Sequence, residues 1–201
     1  MTAQTFKGFL LTRNWRDTRA GIELEFWFST PEGPLCAMVR EERSVFFLAA
    51  SDVPRAQALL GREPGFEIKP VALSNFAMAS VVGVYFKQYR QARRCADILR
   101  AQGLEPLEGD INPADRFLME RFIQGGVKVM GEAEVCDGWL RFTDPKIKAA
   151  VVYPKFAMCS LDIETGVQSG ELYSIGVHLT KGEIEEKKVF MLAGERKDLP
   201  E

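Results

Sequence analysis

The chain has 201 residues, of which 46% are hydrophobic and 27% charged, a composition typical of an ordinary globular protein. Its formal net charge of -2 provides no global basic field for nucleic acid, although a local basic groove stays compatible with it. No apolar run approaches the roughly 20 residues of a membrane-spanning helix, and we expect no signal peptide. Four scattered cysteines without a CxxC pair, and a single histidine, His178, predict a reduced cytoplasmic protein without a structural zinc site.

The first half of the chain predicts an antiparallel meander of β-strands. Its apolar, aromatic-rich runs alternate with segments of turn composition, and links of hairpin length favour antiparallel pairing. Gly21 ends the first of these turns, and the sequence PEGP forms the second. The predicted strands are residues 6–12, 21–30, 35–39 and 44–50.

The middle of the chain predicts helices mixed with strands. The segment SDVPRAQALL has Ser51 as a candidate N-cap and Gly61 as a stop, and FEIKPVAL and VVGVYF have the composition of strands. Residues 87–103 form the clearest helix, because apolar residues recur there at helical spacing and Gly103 suits the position after the last turn.

A third helix is predicted within residues 108–126. Asn112 is a suitable N-cap, and Pro113 fits the first turn because its missing N–H would have no helical partner there. The apolar side of this helix is predicted to consist of Phe117, Leu118, Phe122 and Ile123.

The last quarter of the chain predicts a separate unit. Residues 143–155 are polar and interrupted by prolines, which is typical of a link, and three strands with the sequences FAMCSLDIET, ELYSIGVHL and KKVFML follow. The charged tail, 193–201, shows no helical pattern. Because a sheet needs a packed layer on at least one face, either this meander packs on the first domain or the chain is a piece of a longer protein, and the charged tail favours the second alternative. We divide the chain into residues 1–145 and 146–201.

Two carboxylates in this unit, Asp162 and Glu164, are candidates for metal chemistry. Residues i and i+2 of a strand project from one face, so the two acids should point together, with Ile163 buried on the other side. The apolar run before them predicts that they emerge at the end of a buried strand. Carboxylate oxygens suit Mg²⁺ or Mn²⁺, and two such ions roughly 3.5–4 Å apart can clamp a phosphodiester. A pair of solvated acids at an ordinary strand end is the alternative that the spacing leaves open.

Two ordered segments resemble family B DNA polymerases. The sequence SLDIETGVQSGELYSIG, at 160–176, resembles the Asp-Ile-Glu-Thr motif that opens their 3′–5′ exonuclease domain. Upstream, GDINPADRFLMERFI at 109–123 resembles the segment that joins their N-terminal domain to the exonuclease. The opening FLLTRNWRDTRAGIELEFWF and the helix VPRAQALL are also similar to members of this family, so the resemblance covers essentially the whole chain.

The resemblance implies an α+β fold. Its β-rich N-terminal domain is expected to be partly RNA-recognition-like, and the first strands of an incomplete ribonuclease-H-like exonuclease domain are expected to follow. Asp162 and Glu164 match the acids that bind the catalytic metals, and Thr165 is placed to reach the substrate backbone. The later exonuclease and polymerase motifs do not occur in these 201 residues, so the resemblance implies a truncated N-terminal fragment that is inactive alone.

Further residues are candidates for contact with DNA. In archaeal family members, an arginine matching Arg116 lines a pocket that inspects template bases for uracil. Here Pro113 stands where that pocket has an aromatic residue, so the resemblance implies template contact by Arg116 without implying uracil recognition. Arg90, Arg93 and Arg94 make the helix at 87–103 basic, which predicts either phosphate contacts or a solvated surface.

For the whole enzyme, the resemblance implies a DNA polymerase with proofreading exonuclease activity that acts in replication and repair. Its expected partners are primer–template and single-stranded DNA, deoxynucleotides and a sliding clamp, without a membrane. Mg²⁺ or Mn²⁺ is expected in the complete exonuclease site and not in the fragment, and the expected location is cytoplasmic and nucleoid-associated. Two other hypotheses are a non-catalytic nucleic-acid-binding α+β module with incidental acids and a stand-alone interaction protein.

Overall fold

The computed structural model describes residues 4–192 and divides the chain into two compact units, Met1–Tyr153 and Pro154–Glu201. The tail at 193–201, for which the sequence predicts no helix, lies outside the described residues. Across residues 4–192, none of the helices has the length and apolar character needed to cross a membrane. The fold is rich in β-structure, with short helices packed on the sheets of the first unit.

The first unit contains a seven-stranded sheet with the order β10-β7-β1-β2-β3-β9-β8. All neighbouring strands pair antiparallel except β3 and β9, which are parallel. The strands are β1 (Gln4–Asp17), β2 (Ile22–Thr30), β3 (Gly33–Glu42), β7 (Gly126–Gly131), β8 (Ala133–Cys136), β9 (Trp139–Thr143) and β10 (Lys146–Ala149).

One face of this sheet forms the first hydrophobic core. Ile22, Leu24, Phe26 and Phe28 alternate along β2 and are completely buried, as expected for a strand with one covered face. The helix α3 (Pro113–Glu120) packs on this face, and its Phe117 ring lies 5.2 Å from the ring of Phe26.

A smaller, three-stranded sheet holds the second core. Its order is β4-β6-β5, formed by β4 (Ser44–Ala49), β5 (Phe66–Ser74) and β6 (Ser80–Phe86). The helices α1 (Val53–Leu60) and α2 (Tyr89–Ala101) bury their apolar sides against it. The elements therefore follow the order β4-α1-β5-β6-α2, after which Leu107 forms an isolated antiparallel bridge with Phe47 of β4.

The second unit contains one antiparallel sheet with the order β11-β12-β13. Its strands are β11 (Ala157–Thr165), β12 (Leu172–Lys181) and β13 (Ile184–Met191). Within residues 154–192 there is no helix to pack on this sheet.

The predicted meander is wrong in two places. The segment after residue 12, predicted as a turn, continues β1 to Asp17, because its polar side chains lie on a strand that pairs fully with β2. The fourth predicted strand, β4, leaves the meander and pairs with β6 in the smaller sheet, so the antiparallel meander contains only β1, β2 and β3.

Two local predictions around α3 and β10 also need correction. Lys146–Ala149, predicted as part of a link, pairs with β7 at the edge of the larger sheet, and the first unit extends to Tyr153. The helix α3 ends at Glu120, and Phe122 has a positive φ of 53° and is 86% exposed rather than on the apolar side. The prediction that Asn112 caps this helix is confirmed, because its side chain accepts a hydrogen bond from the Asp115 N–H.

Candidate metal and nucleic-acid sites

The strand β11 places Asp162 and Glu164 on one face, as the spacing predicts. Asp162 pairs with Gly176 of β12, and Glu164 pairs with Ser174, so these four residues share a face of the sheet. A β-carbon added at Gly176 would lie 3.7 Å from the Asp162 β-carbon, an ordinary contact distance. The glycine therefore leaves open space beside the Asp162 carboxylate.

The predicted burial of this strand is wrong. Every residue of β11 is exposed, and Leu161 and Ile163 on the face opposite the acids remain 66% and 57% exposed. The physical reason is that burial of an apolar sheet face depends on the layer that covers it, which the strand's own sequence does not supply. Both carboxylates are accordingly open to water and to ligands.

The end of the acid-bearing strand is held by an ordered turn. The Gly166 N–H donates to the Glu171 carbonyl at 2.8 Å, and the Gly170 N–H donates to the Gly166 carbonyl at 2.9 Å. A β-carbon at Gly166 would lie 2.5 Å from the Ser169 hydroxyl oxygen and 2.6 Å from the Tyr173 hydroxyl oxygen, so a larger residue here would require these two side chains to move. Thr165, the remaining predicted site residue here, is exposed and follows a register shift after Glu164.

A second charged cluster lies on the same face, nearer its other end. Ser160 pairs with His178, and the His178 Nε2 lies 2.8 Å from the Glu185 carboxylate, which also accepts from Lys187 at 2.8 Å. Hydrogen bonds from Lys187 and His178 lower the pKa of Glu185 from its ordinary value. This carboxylate already accepts hydrogen bonds from Lys187 and His178, whereas the structure records no such partner within residues 4–192 for Asp162 or Glu164.

The donor set at Asp162 and Glu164 fits a hard divalent cation in part. No three histidine, cysteine, aspartate or glutamate side chains among residues 4–192 converge closely enough to hold a metal ion. Two carboxylates match the usual way in which proteins bind Mg²⁺, which keeps several waters and takes further oxygens from substrate phosphates. This chain can therefore supply two oxygen ligands, and a complete two-metal centre needs others.

Arg116 is buried and paired within the first unit. Its guanidinium donates to the Glu108 carboxylate at 2.9 Å, lies 3.7 Å from the Glu120 carboxylate and stands over the Phe47 ring. It lines a cleft that also includes Pro113. Contact between Arg116 and DNA stays a prediction, and it would have to compete with these pairings.

The basic helix α2 presents its arginines differently. Arg94 forms an ion pair with Glu63, and the one hydrogen bond that the Arg93 guanidinium makes within the described range, 4–192, runs to the Gly109 carbonyl at 3.5 Å. Arg90, Arg93 and Arg94 line an open groove along the helix. At its N-terminal end, Trp15 of β1 meets Tyr89 edge to face, with ring centroids 4.7 Å apart.

Asp17 is the important residue at this end of α2 that the sequence analysis missed. Its two carboxylate oxygens accept hydrogen bonds from the Tyr89 and Arg90 N–H groups at 2.8 and 3.0 Å. Asp17 is thus an N-terminal cap supplied by a distant strand, where the acid compensates unpaired N–H groups. Its residue type suits a cap, but nothing in the sequence links it to a helix 72 residues later.

Comparisons with known proteins agree with the division of the first unit into two cores. A family model described as DNA polymerase II, N-terminal, matches residues 8–42, which contain most of β1 and all of β2 and β3. A second, described as DNA polymerase II, insertion domain, matches residues 44–104, which contain the smaller sheet with α1 and α2. Both matched ranges end before Asp162 and Glu164.

The fold is that of the N-terminal region of a family B DNA polymerase. The structure resembles the family B DNA polymerase from the hyperthermophilic archaeon Pyrobaculum calidifontis, with a TM-score of 0.64 and 16% identity, over 94% of this chain and 27% of that chain. DNA polymerase II of Escherichia coli K12 is 41% identical over 171 residues, which cover 85% of this chain. The chain thus resembles DNA polymerase II over two matched domain models and 171 aligned residues, and it spans 21% of the length of that curated relative.

Proposed function

We propose that this chain is the N-terminal portion of a DNA-directed DNA polymerase with 3′–5′ proofreading activity. We further propose that Asp162 and Glu164 are two metal ligands of its exonuclease site. The observation that carries the metal assignment is the placement of both acids, exposed and unmatched by any residue within 4–192, on one face of β11 beside Gly176. The 41% identity to DNA polymerase II supports the assignment to a polymerase.

Two finer features of the fold belong to the same proposal. The order β4-α1-β5-β6-α2, with the bridge at Leu107 beside β4, supports an RNA-recognition-like insertion domain, because a β-α-β-β-α-β unit has this order. The antiparallel order β11-β12-β13 supports the start of a ribonuclease-H-like exonuclease domain. Deoxynucleotides, primer–template DNA and a sliding clamp are proposed partners of the whole enzyme in replication and repair near the nucleoid.

The chain's own residues would prepare the site in three ways. Asp162 and Glu164 project from the same face and would coordinate a bound Mg²⁺ or Mn²⁺ ion through their carboxylate oxygens. When bound, such an ion would polarise the phosphodiester and lower the pKa of an attacking water. Gly176 leaves room beside Asp162, and the Thr165 hydroxyl would donate a hydrogen bond to the substrate backbone.

Manganese binding by the chain tests the assignment of the ligands. Electron paramagnetic resonance titration is expected to show weak Mn²⁺ binding that is lost in Asp162→Asn and Glu164→Gln. Glu183→Gln is the matched control, because it removes one exposed carboxylate from the same unit, in the turn between β12 and β13. Equal loss in the control, or retention of binding in both site variants, would refute the metal assignment.

Nuclease activity tests the second part of the proposal. Because two carboxylates make only part of a two-metal centre, we expect no Mg²⁺-dependent degradation of single-stranded DNA by the chain alone. Degradation that disappears in Asp162→Ala would contradict the inactivity of the fragment while supporting the site. Absence of Mn²⁺ binding, together with tight single-stranded DNA binding, would favour the non-catalytic module instead.

A further inference from the structure

An open groove runs along α2 in the first unit. Its lining residues on the helix are spaced i, i+1, i+4, i+5, i+8, i+9 and i+12, which defines one continuous stripe of a helical surface. The groove comprises Trp15, Tyr89, Arg90, Arg93, Arg94, Asp97, Ile98 and Ala101. From Tyr89 to Ala101 the stripe rises about 18 Å, at 1.5 Å per residue, a length that a few nucleotides span.

The groove carries positive charge that the fold leaves uncompensated. Asp97 is matched by Arg100 at 2.9 Å, and Arg94 is matched by Glu63. Among residues 4–192, the structure records no ion pair for Arg90 or Arg93. The only side-chain hydrogen bond recorded there for either arginine is the long one from Arg93 to the Gly109 carbonyl. These two guanidinium groups are the donors that an anionic ligand would meet.

Aromatic and apolar groups form the rest of the surface. Trp15 and Tyr89 are half-buried at the N-terminal end, with their edge-to-face contact fixing the two rings, and Ile98 and Ala101 continue the surface toward the other end. The Asp17 cap and the hydrogen bond from the Tyr89 hydroxyl to the Asp110 carbonyl hold this end in place. A rigid aromatic surface beside cations suits flat, anionic polymers.

We propose that this groove binds single-stranded nucleic acid, with phosphates at Arg90 and Arg93 and a base stacked on the Trp15 ring beside Tyr89. A single strand offers free base faces to aromatic side chains, whereas a duplex keeps them stacked inside. An acidic peptide would satisfy the arginines but has no obligatory planar rings for the aromatic end. The site lies in the first unit and is additional to the proposed exonuclease site on β11.

Binding of a fluorescently labelled thymidine oligonucleotide, measured by anisotropy in EDTA, tests the groove without involving divalent metals. Arg90→Gln/Arg93→Gln is expected to weaken binding at least tenfold. Because each phosphate contact contributes about 0.7 to the slope of log K against log salt for single strands, the slope should flatten by about 1.4. Lys7→Gln/Lys148→Gln, which removes two exposed cations from the larger sheet, is the matched control and should keep the wild-type slope.

The aromatic end needs its own variants. Trp15→Leu is expected to weaken binding about tenfold with an unchanged salt slope, since stacking involves no counterion release, and Trp15→Phe should retain most of the affinity. Circular dichroism checks that each variant is folded, and the two arginine changes are on exposed or half-exposed positions of the helix.

Three kinds of result would overturn the proposal. The first is wild-type affinity in Arg90→Gln/Arg93→Gln, and the second is an equal loss in the lysine control. The third is tighter binding of a duplex of the same length, or equal competition by a polyglutamate peptide, which would assign the groove to a different class of ligand. Loss of Mn²⁺ binding at β11 would leave this outcome unaffected, so the two proposals fail separately.

Discussion

Gly126, the first residue of β7, offers a sharp test of how residues 146–152 lie in the fold. A β-carbon at this position would lie 2.2 Å from the Ala150 carbonyl oxygen and 3.0 Å from the Val152 nitrogen. Both atoms belong to the backbone, and the Ala150 N–H is already bonded to the Gly126 carbonyl at 2.9 Å. Alanine at residue 126 must therefore displace the segment after β10 by about 1 Å, and forced overpacking of this kind costs about 3 kcal/mol.

Gly131, at the other end of β7, is the matched control. The nearest atom to a β-carbon there would be 3.5 Å away, in the Phe142 ring, so Gly131→Ala should change the free energy of unfolding by less than about 1 kcal/mol. Urea unfolding followed by tryptophan fluorescence reports on this unit, because all three tryptophans lie within residues 1–153. We expect the midpoint of Gly126→Ala to fall by about 1–3 M, given slopes of about 1–3 kcal/mol per molar urea.

An unchanged midpoint in Gly126→Ala would refute this reasoning. It would mean that residues 150–152 do not lie against β7 and that β10 is not part of the larger sheet. Equal destabilisation of both variants would instead show that any alanine weakens this strand.

Three further outcomes follow from individual contacts. Asn112→Ala should lower the free energy of unfolding by about 1 kcal/mol in urea titration, because the cap of α3 is lost. The Arg13 guanidinium beside Asp115 lowers the pKa of that carboxyl, so the ion pair stabilises the fold at neutral pH. This contribution is lost as the pH falls below about 4, the ordinary pKa of an aspartate, and through the lowered pKa of Asp115. The difference in urea midpoint between wild type and Asp115→Asn should therefore shrink with acidification, and a constant difference would contradict this reasoning. Burial raises the pKa of Cys95 to about 11, so at pH 8 a disulfide reagent should label exposed Cys159 rapidly and Cys95 only after unfolding.

The apolar, aromatic-rich run at 21–30 predicted β2 well, because one face of this strand is covered by a core built from nearby elements. The same signal did not reveal that β4 changes sheets. The link between β3 and β4 has hairpin length, and the choice between pairing with β3 or with β6 depends on long-range contacts that α1 and α2 make with β4. Sequence periodicity specifies which face of a strand is apolar, and not which neighbouring strand pairs with it through backbone hydrogen bonds.

At the candidate metal site, too, the sequence predicted the feature set by local geometry and not the one set by distant contacts. A period of two sufficed to place Asp162 and Glu164 together, since strand geometry alone determines it. The burial predicted for Ile163 was wrong because it depends on a covering layer. The cap that Asp17 provides for α2 was missed for a related reason, since its helix lies far along the chain and only the folded first unit brings them together.

The most direct test of the account is to locate Mn²⁺ on the chain by nuclear magnetic resonance. Sub-stoichiometric Mn²⁺ should broaden the amide signals of residues 160–165 and 174–178 before all others, because Asp162 and Glu164 face Gly176 and Ser174 across β11 and β12. This broadening should disappear in Asp162→Asn/Glu164→Gln and persist in Glu183→Gln. Broadening centred elsewhere, or unchanged in the double variant, would contradict the assignment of these two carboxylates as the metal ligands.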